Sequence, residues 1–337
     1  MQEQRTRGLA AVHKSRAERK RRKLSALPSR VFLWIASVFL VWGVLYYKYA
    51  QSSLESEKAR VFEKQRAIAA TIGPSYEPLR DRIEAWTMEA SGPYEGDFID
   101  PRIDDIDFMQ AAGVYLRLRI GDATSVERIR EAAQGSLRDG FTACLFRASN
   151  PDPTAGPPCE LTRDCEEGLF CSEYDRCTKA SQPYNMRSIY RGTRVLFDEW
   201  TVDLRTTTND MRVRYLEGVL DDSANQDVPL AIEALRNAKF FLLVLDEDPP
   251  DISEEASAED VQAEPHAARV YLYGLDGPHE GPLLRLRRDI HAQLLTGAGS
   301  ALLDAETIAA QKRQANGCQL ALEVRKALEV AAPAPAP

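Results

Sequence analysis

Acidic side chains follow the most apolar short run of the outer part of the chain. The run Phe240–Leu245 reads FFLLVL, and Asp246, Glu247 and Asp248 come directly after it. Carboxylates at the spacing D-x-D can hold a divalent cation such as Mn²⁺, which prefers oxygen ligands. A strand that is apolar throughout is buried on both faces, so these acids would lie at its carboxyl end. Asp246 and Asp248 are the two aspartates of this D-x-D.

This pair resembles the metal-binding motif of glycosyltransferases, and the resemblance implies a nucleotide diphosphate sugar as substrate. Three observations argue against it: D-x-D is frequent by chance, fewer than ninety residues follow it, and the next acids have no Lys or Arg among them. Those acids indicate a solvated acidic loop; they are Asp251, Glu254, Glu255, Glu259, Asp260 and Glu264. We therefore assign no catalytic, cofactor-binding or metal-binding residue, and favour a protein that is not an enzyme.

The histidines support this choice. His266 and His279 lie beside proline in predicted loops, and His13 and His291 have no catalytic partner at a telling spacing. Neither G-x-S-x-G nor H-E-x-x-H occurs, and there is no glycine-rich phosphate loop.

Four cysteines recur at a regular spacing, C-x5-C-x5-C-x5-C, formed by Cys159, Cys165, Cys171 and Cys177. Zinc sites usually bring their ligands in close C-x2–4-C pairs, so this spacing argues against a metal. A polar segment of this size cannot bury a core, and we therefore expect disulfide bonds to hold it.

The central D-C-x-x-G-x-x-C, Asp164–Cys171, resembles the N-terminal cysteine-rich motif of the Dickkopf family, over residues 159–177 of the 337-residue chain. The resemblance implies a disulfide knot in a secreted, protein-binding context. The second cysteine-rich half of that family is absent here, so Wnt-type binding is not implied. Of the three possible pairings we favour Cys159–Cys171 with Cys165–Cys177. The knot is then either a stapled loop or a partner-binding knob.

Two further cysteines remain, Cys144 and Cys318. Cys144 lies in the predicted strand 141–147, and Cys318 lies in the final helix beside Gly317, which would let another backbone approach closely. We favour a disulfide between them over two unpaired buried thiols. The chain-entropy model gives roughly 5 kcal/mol for closing such a long loop, as an upper figure.

The segment that indicates where the protein is located in the cell is Val31–Tyr47, seventeen residues without a charge. As a helix it covers roughly 26 Å, near the lower limit for a bilayer core of about 30 Å. A cleaved signal peptide is the alternative, but its apolar region usually has about 7–15 residues, and the best cleavage site is Ala50-x-Ser52. We predict an uncleaved transmembrane helix that acts as a signal-anchor.

Charge predicts the orientation of this helix. Residues 1–30 hold ten Lys plus Arg and two acids, a net +8, whereas the whole chain has −8, which leaves −16 on residues 31–337. Basic flanks stay cytoplasmic, and an acidic exported part does not seek nucleic acid. All six cysteines follow the span, which agrees with an oxidising compartment. Since there is no Asn-x-Ser/Thr site, we favour the bacterial inner membrane with a periplasmic domain.

The predicted organisation is a sequence of six segments. They are a basic cytoplasmic segment 1–30, a transmembrane helix 31–47, a helical stalk 48–72, a connector 73–112, an extracytoplasmic domain 113–330 with a cysteine-rich insertion 150–182, and a disordered Pro/Ala tail 331–337. Leu54, Val61 and Ile68 recur at seven along the stalk, which either pairs with a partner helix or, as we favour, is a solvated spacer. Gly73-Pro74 is expected to end it.

The domain is predicted to be α+β with a mixed sheet of some five strands. Alternation over 113–120 predicts a half-buried strand with Tyr115, Arg117 and Arg119 on one face. A capping box at Thr124–Glu127 starts a helix that Gly140 ends. The remaining expected elements are a second strand 141–147, helices over 186–220 split at 206–210, a helix start at 227–229, the central strand 240–245, a hairpin of 269–275 with 283–288, and a helix from Asp304 to 329.

These features favour a membrane-anchored interaction or envelope-assembly protein, with the lipid bilayer and another protein as partners and no cofactor. Two alternatives stay open. One is a type II membrane glycosyltransferase-like enzyme that uses Asp246 and Asp248, and the other is a sensor domain that relays to a separate partner.

Overall fold

A computed structural model describes residues 29–105, 111–136, 140–146, 155–161, 164–166, 169–171, 174–178, 183–253, 256–292 and 304–331. The predicted basic segment before residue 29 and the predicted Pro/Ala tail after Ala331 lie outside these residues, as do parts of the cysteine-rich insertion. The chain divides into two compact units, Met1–Val61 with Thr207–Val213, and Phe62–Thr206 with Arg214–Pro337.

Numbered in chain order, the helices are α1 Ser29–Ala90, α2 Val126–Gly135, α3 Gly140–Leu145, α4 Met186–Gly192, α5 Asp198–Thr206, α6 Asp210–Asp222, α7 Val228–Asn237, α8 Ala258–Ala263 and α9 Ala305–Ala331. The strands are β1 Phe98–Ile99, β2 Gly113–Arg119, β3 Phe170–Cys171, β4 Cys177–Thr178, β5 Tyr184–Asn185, β6 Phe240–Asp246, β7 His266–Gly274 and β8 Gly281–Ile290. A π-helical turn, Ser223–Asp227, joins α6 to α7.

Within the first unit, α1 carries the uncharged segment 31–47. An 18-residue window of this helix has a mean hydropathy of 1.7 and no buried residue, so by length and composition it could cross a membrane. Its large apolar side chains are exposed, among them Phe32, Trp34 and Trp42. Trp42 stacks on Tyr46 with the ring centroids 5.8 Å apart. Aromatic rings of this kind are enriched where a helix meets the bilayer surface.

The second unit is built on a mixed six-stranded sheet in the order β1-β8-β7-β6-β2-β5. The pairs β1/β8, β8/β7 and β7/β6 are antiparallel, whereas β6/β2 and β2/β5 are parallel. The predicted α+β class is therefore confirmed, with six strands where the sequence suggested some five. The predicted hairpin of 269–275 with 283–288 is also confirmed as β7 and β8, which pair along most of their length.

Strand β6 lies inside the sheet and separates two hydrophobic clusters. Phe241, Leu243 and Leu245 belong to the cluster that includes α2, α4, α7 and the end of α1. Phe240, Leu242 and Val244 belong to the cluster that includes α3 and α9. Because successive side chains of a strand point to opposite faces, one apolar run fills both clusters. The prediction of a central strand buried on both faces is confirmed.

The prediction that Gly73-Pro74 ends the first helix is wrong. Helix α1 continues to Ala90 with Pro74 and Pro78 inside it. Each interior proline costs a helix about 3 kcal/mol. Burial opposes this cost, because Tyr76, Ile83 and Ala90 enter the first hydrophobic cluster, and each large apolar side chain gains about 1.5–3 kcal/mol when it leaves water. Tertiary packing outweighs the local signal.

The predicted strand 141–147 is also wrong, because Gly140–Leu145 is helix α3. A short apolar run does not distinguish a strand from a buried helix by periodicity alone. Phe141 and Leu145 are both fully buried and lie one helical turn apart, which is the spacing that a helix uses to present one face. The cysteine-rich insertion therefore follows strands β1 and β2 and helices α2 and α3.

Smaller differences concern burial and helix ends. Strand β2 is buried along its whole length rather than half-buried. Helix α2 ends at Gly135 and not at Gly140, and its N-cap is Ser125, whose side chain accepts a hydrogen bond from the backbone N–H of Arg128. The expected helix start at 227–229 is a continuation of α6 through the π-helical turn. The split after Thr206 and the cap at Asp304 agree with the predictions.

From Phe62 onward, α1 packs on its own domain. The Lys64 ammonium pairs with the carboxylates of Asp221 and Glu217 on α6, and the Gln65 side-chain amide donates to the carbonyl of Val195 at 3.3 Å. The Arg205 guanidinium lies over the Phe62 ring, 5.4 Å from its centroid. One face of this part of the helix therefore packs on neighbouring elements, whereas Glu63, Arg66 and Ala67 are exposed to solvent.

Helices α3 and α9 approach each other closely at two glycines. A Cβ atom added to Gly317 would lie 2.7 Å from the backbone nitrogen of Phe141, and one added to Gly140 would lie 2.4 Å from the carbonyl oxygen of Gln314. Real Cβ atoms essentially never come this close to backbone, so this crossing requires glycine at both positions. The close approach predicted beside Gly317 is confirmed.

We expect Gly317→Ala to lower the free energy of unfolding by about 1–3 kcal/mol, because the methyl group overpacks the crossing. Gly218→Ala is the matched control, since Gly218 lies in α6 with nothing within 4 Å of its added Cβ, and it should raise stability by about 0.5–1 kcal/mol. Chemical unfolding of both variants measures the difference, and equal effects would contradict the crossing.

Candidate functional site

The acidic triplet lies where two parallel strands end. Asp246 is the last residue of β6, and its register partner Arg119 is the last residue of β2. The carboxyl ends of adjacent parallel strands form the edge at which open α/β sheets usually bind ligands. Position alone would therefore suit the metal pair considered from the sequence, and the hydrogen bonds of each carboxylate decide the question.

Both carboxylate oxygens of Asp246 are occupied inside the protein. The Arg117 guanidinium binds it in two places, with Nε 2.8 Å from Oδ2 and Nη2 2.8 Å from Oδ1. The His266 Nε2 atom lies 3.0 Å from Oδ1. The side chain of Asp246 is 0 % exposed, and that of Arg117 only 2 %. No face of this carboxylate is open to an incoming ion.

Burial by itself would raise the pKa of Asp246. The charge of Arg117 and the hydrogen bonds from His266 and Arg117 outweigh that effect, and they hold the pKa of this carboxyl well below its usual range. The His266 Nδ1 atom lies 2.7 Å from the carbonyl oxygen of Glu264. A bidentate guanidinium on a buried carboxylate fixes orientation as well as charge, so the cluster joins three neighbouring strands.

The other two acids of the triplet are also paired with arginines. Asp248 accepts from Arg119 Nε at 2.8 Å. Glu247 points to the other face of the sheet, where it accepts from Arg269 Nε at 2.6 Å and from Arg287 Nη2 at 2.8 Å. The hydrogen bonds from Arg287 are the largest influence on Glu247 and lower its pKa. The arrangement is a set of ion pairs across strands β2, β6, β7 and β8.

The sequence pattern identified Asp246 and Asp248 as candidates but did not identify the side chains that pair with them. Arg117 and Arg119 were assigned to the face of a half-buried strand, yet both are at least 90 % buried. The prediction that His266 lies in a loop is wrong, because His266 begins β7 and is buried beside Asp246. The available signal was a pair of charges in an apolar strand, because buried charges are paired with opposite charges. His279 and His291 lie away from this cluster, and His13 is outside the described residues.

A second charge cluster lies where α1 meets the domain. The buried Glu84 carboxylate accepts from Arg130 Nε at 2.8 Å, Arg130 Nη2 at 3.0 Å and the Tyr190 hydroxyl at 3.1 Å. Arg80, one turn away on α1, has its Nε 3.9 Å from Glu84, and its guanidinium lies over the Phe197 ring. Burial, followed by Glu84, raises the pKa of Tyr190 far above its usual value. These bonds fasten α1 to α2 and α4.

The six cysteines lie in three pairs at disulfide distance. The Cα atoms of Cys159 and Cys171 are 5.8 Å apart, and those of Cys165 and Cys177 are 5.5 Å apart. The Cα atoms of Cys144 and Cys318 are 5.2 Å apart. These are the pairs that the sequence favoured, although Cys144 lies on helix α3 rather than on a strand.

The module 155–178 is a small structure of its own around two crossing cysteine pairs. Strands β3 and β4 form a two-stranded antiparallel sheet, and the Asp164 carboxylate accepts from the backbone N–H groups of Glu160 and Leu161 at 3.2 and 2.9 Å. Asp164 belongs to the motif with the local family resemblance. Gly156 has φ +114°, and an added Cβ would lie against the carbonyl oxygen of Cys177. Local turns and cysteine pairs define this module.

The sulfur atoms of Cys159, Cys165 and Cys177 lie within 4.8 Å of one another. Crossing disulfides bring sulfurs together in this way, and only reduced thiolates could use the same positions to bind a metal. In the described part of the module, the cysteine pairs account for the positions of all three sulfurs.

Comparison with protein-family models, with curated proteins and with solved structures found no significant match to this chain. Function is therefore inferred from the residues of the chain itself.

We expect Asp246→Asn to lower the free energy of unfolding by about 3–5 kcal/mol, because it leaves Arg117 buried without its counter-charge. The matched variant Asp248→Asn should cost less, about 1–3 kcal/mol, since the Asp248 side chain is 35 % exposed and Arg119 keeps its hydrogen bond to the carbonyl of Ala256. Chemical unfolding measures both. Mn²⁺ plus a nucleotide sugar should not raise the melting temperature of the wild type. A rise that is lost in the variant carrying both Asp246→Asn and Asp248→Asn would contradict this assignment.

The depressed pKa of Asp246 also predicts how the stability of the protein depends on pH. A carboxyl whose pKa is depressed by folding adds stability above its unfolded value, about 3.9 for Asp, and loses it as pH falls through the folded value. Wild-type stability should therefore fall steadily below about pH 4, and Asp246→Asn should lack that component of the fall.

Peptide mapping without reduction should yield three linked peptide pairs, joining Cys144 to Cys318, Cys159 to Cys171 and Cys165 to Cys177. Replacing both Cys144 and Cys318 by Ala should lower the free energy of unfolding by up to about 5 kcal/mol, because their sequence separation is 174 residues. The pairs separated by 12 residues should contribute about 3 kcal/mol each. A free-thiol label on any of the six would refute that pair.

Proposed function

We propose that the protein is a single-span membrane protein whose carboxyl-terminal domain lies outside the cytoplasm and acts by binding another protein. The apolar segment of α1 supports the span, because its length and composition suit a bilayer. The basic residues that precede it support a cytoplasmic amino end. Three cysteine pairs at bonding distance support an oxidising compartment for the domain. Because the sequence has no Asn-x-Ser/Thr site, we place this membrane protein in the bacterial inner membrane, with the domain in the periplasm.

One observation carries the interaction function. The module 155–178 supplies none of the residues of the two hydrophobic clusters in the described part of the chain. It stands beside α4 and the π-helical turn, across a cleft of about 420 Å³. Tyr174 in this module is 53 % exposed. A crosslinked module that the core does not need is typical of a surface used for recognition, in agreement with the protein-binding context that its local resemblance implies.

The glycosyltransferase alternative has less support. Its metal would need open carboxylate oxygens, whereas Asp246 is wholly buried against Arg117 and His266. The alternative of a sensor that relays to a separate partner differs from our proposal only in the step after binding. The sensor is the second candidate, because the single helix α1 contains both the apolar segment and the core residues Tyr76 and Ile83.

The proposed topology predicts reporter activity. Alkaline phosphatase fused after residue 60 should be active, because it needs export to form its disulfides, and a fusion after residue 25 should be inactive. The reverse pattern would overturn the orientation.

The interaction itself is tested in the same membranes. A photo-crosslinking amino acid replaces Tyr174 in one variant and Val202 in the other, two side chains that are each 53 % exposed. A specific adduct at position 174 that is absent at position 202 supports recognition by the module. Equal labelling at both positions, or no adduct at either, argues against it.

A further inference from the structure

A groove of about 480 Å³ lies where α1 ends beside strands β7 and β8. It is lined by aromatic side chains, prolines and charged groups, among them Trp86, Glu89, Pro93, Phe98, Tyr271 and Tyr273. Its size is that of a site for a small ligand or for a few residues of a peptide. All of its lining belongs to the second unit, and none of it belongs to the cysteine module.

The two kinds of aromatic side chain in this groove differ in exposure. Trp86 stacks on Tyr273 with centroids 4.7 Å apart and planes 7° apart, and the Arg82 guanidinium lies over the Trp86 ring at 5.9 Å. Since Tyr273 takes one face of the indole, Arg82 takes the other, and the Trp86 ring is not available for stacking by a ligand. Phe98 is 39 % exposed, so it is the aromatic side chain of the groove that a ligand can contact.

Polar atoms of the groove lack the partners that the rest of the sheet provides. Tyr273 is 5 % exposed, and its hydroxyl makes no hydrogen bond within the described ranges, whereas the Tyr271 hydroxyl donates to the carbonyl of Ala90 at 3.1 Å. Burial, then Tyr271, then Glu89 raises the pKa of Tyr273, and Glu89 lines the same groove. The sheet is irregular here, with a register shift between Leu272 and Tyr273, and bulges of this kind re-aim side chains.

The carboxylates of the groove give it a charge preference. Glu95 pairs with Arg285. Glu89 has no basic partner among the residues that the structure describes, in contrast to Asp97 and Glu247, which pair with arginines on the same strands. An exposed carboxylate at the rim favours a ligand that brings a positive charge.

We propose that this groove binds an extended, proline-rich segment of another protein that carries a basic residue beside its prolines. Proline-rich segments hold a preformed polyproline II conformation, lack N–H donors and present carbonyl acceptors. Aromatic-lined grooves recognise them through packing of the prolines and hydrogen bonds donated to those carbonyls. The Tyr273 hydroxyl is such a donor, Phe98 and Pro93 give the apolar surface for the prolines, and Glu89 receives the basic side chain.

This inference builds on the proposed interaction function by giving the chemistry of a partner, at a site separate from the cysteine module. The probe is a fluorescein-labelled proline-rich peptide with one terminal arginine, titrated by fluorescence anisotropy against the full chain in detergent. Tyr273→Phe keeps the ring and removes the hydroxyl, so binding should weaken about fivefold. Glu89→Gln should also weaken binding about fivefold and reduce its dependence on salt.

Two controls match these variants. Glu63→Gln removes an exposed carboxylate from the same helix, outside the groove, and should leave binding unchanged. A peptide with alanine in place of the prolines should bind much more weakly than the probe. Equal binding of the two peptides, equal binding by Tyr273→Phe and wild type, or displacement of the probe by a soluble oligosaccharide would overturn the assignment.

The two proposals can fail separately. If photo-crosslinking from position 174 captures a partner while the labelled peptide does not bind, the interaction function stands and the groove assignment falls. If the peptide binds as expected while no adduct forms at position 174, recognition by the cysteine module falls and the groove assignment stands.

Discussion

Complete burial of strand β6 is the constraint on which the rest of this domain depends. Its apolar side chains must be covered on both faces, and its last residue, Asp246, is still inside the protein. A carboxylate at that depth is tolerable only with a counter-charge and filled hydrogen bonds. Arg117 on β2 and His266 on β7 meet that need. The same three residues thereby fix how the neighbouring strands pair around β6, since a one-residue slip would separate the charges.

Covering both faces draws on both ends of the domain. The end of α1 covers one cluster with Tyr76 and Ile83, and α9 covers the other with Leu320 and Val324. The first of these helices is held by the Glu84 cluster. The second is held by its crossing with α3, where two glycines remove the Cβ atoms that would separate the backbones and Cys144 lies beside Cys318. Hydrogen bonds and ion pairs therefore hold the end of α1 in place, whereas close packing and a cysteine pair hold α9.

The sequence predicted those parts of the fold whose pattern is local. Strand β6, the hairpin of β7 with β8 and the final helix follow from runs of apolar residues and caps. It failed where distant contacts override a local signal. Pro74 does not end α1 because Tyr76 and Ile83 beyond it are buried. At the candidate site, the sequence identified Asp246 but could not show that Arg117, 129 residues earlier, occupies it, because pairing across strands depends on register rather than on spacing.

The contrast between paired and unpaired polar groups separates structural sites from recognition sites in this domain. The acidic triplet has the composition of a metal site, yet each of its carboxylates is bound by an arginine. Such ion pairs hold strands together, and opening them to a ligand would leave a buried charge without its partner. The aromatic groove has the opposite balance, since its walls are packed while the Tyr273 hydroxyl and the Glu89 carboxylate have no partner in the described part of the chain. A polar group without a partner inside the protein can bind a ligand in exchange for water, without first breaking an ion pair or hydrogen bond of the fold. Recognition is therefore better sought where polar groups have no partner in the described part of the chain than where its acids are most concentrated.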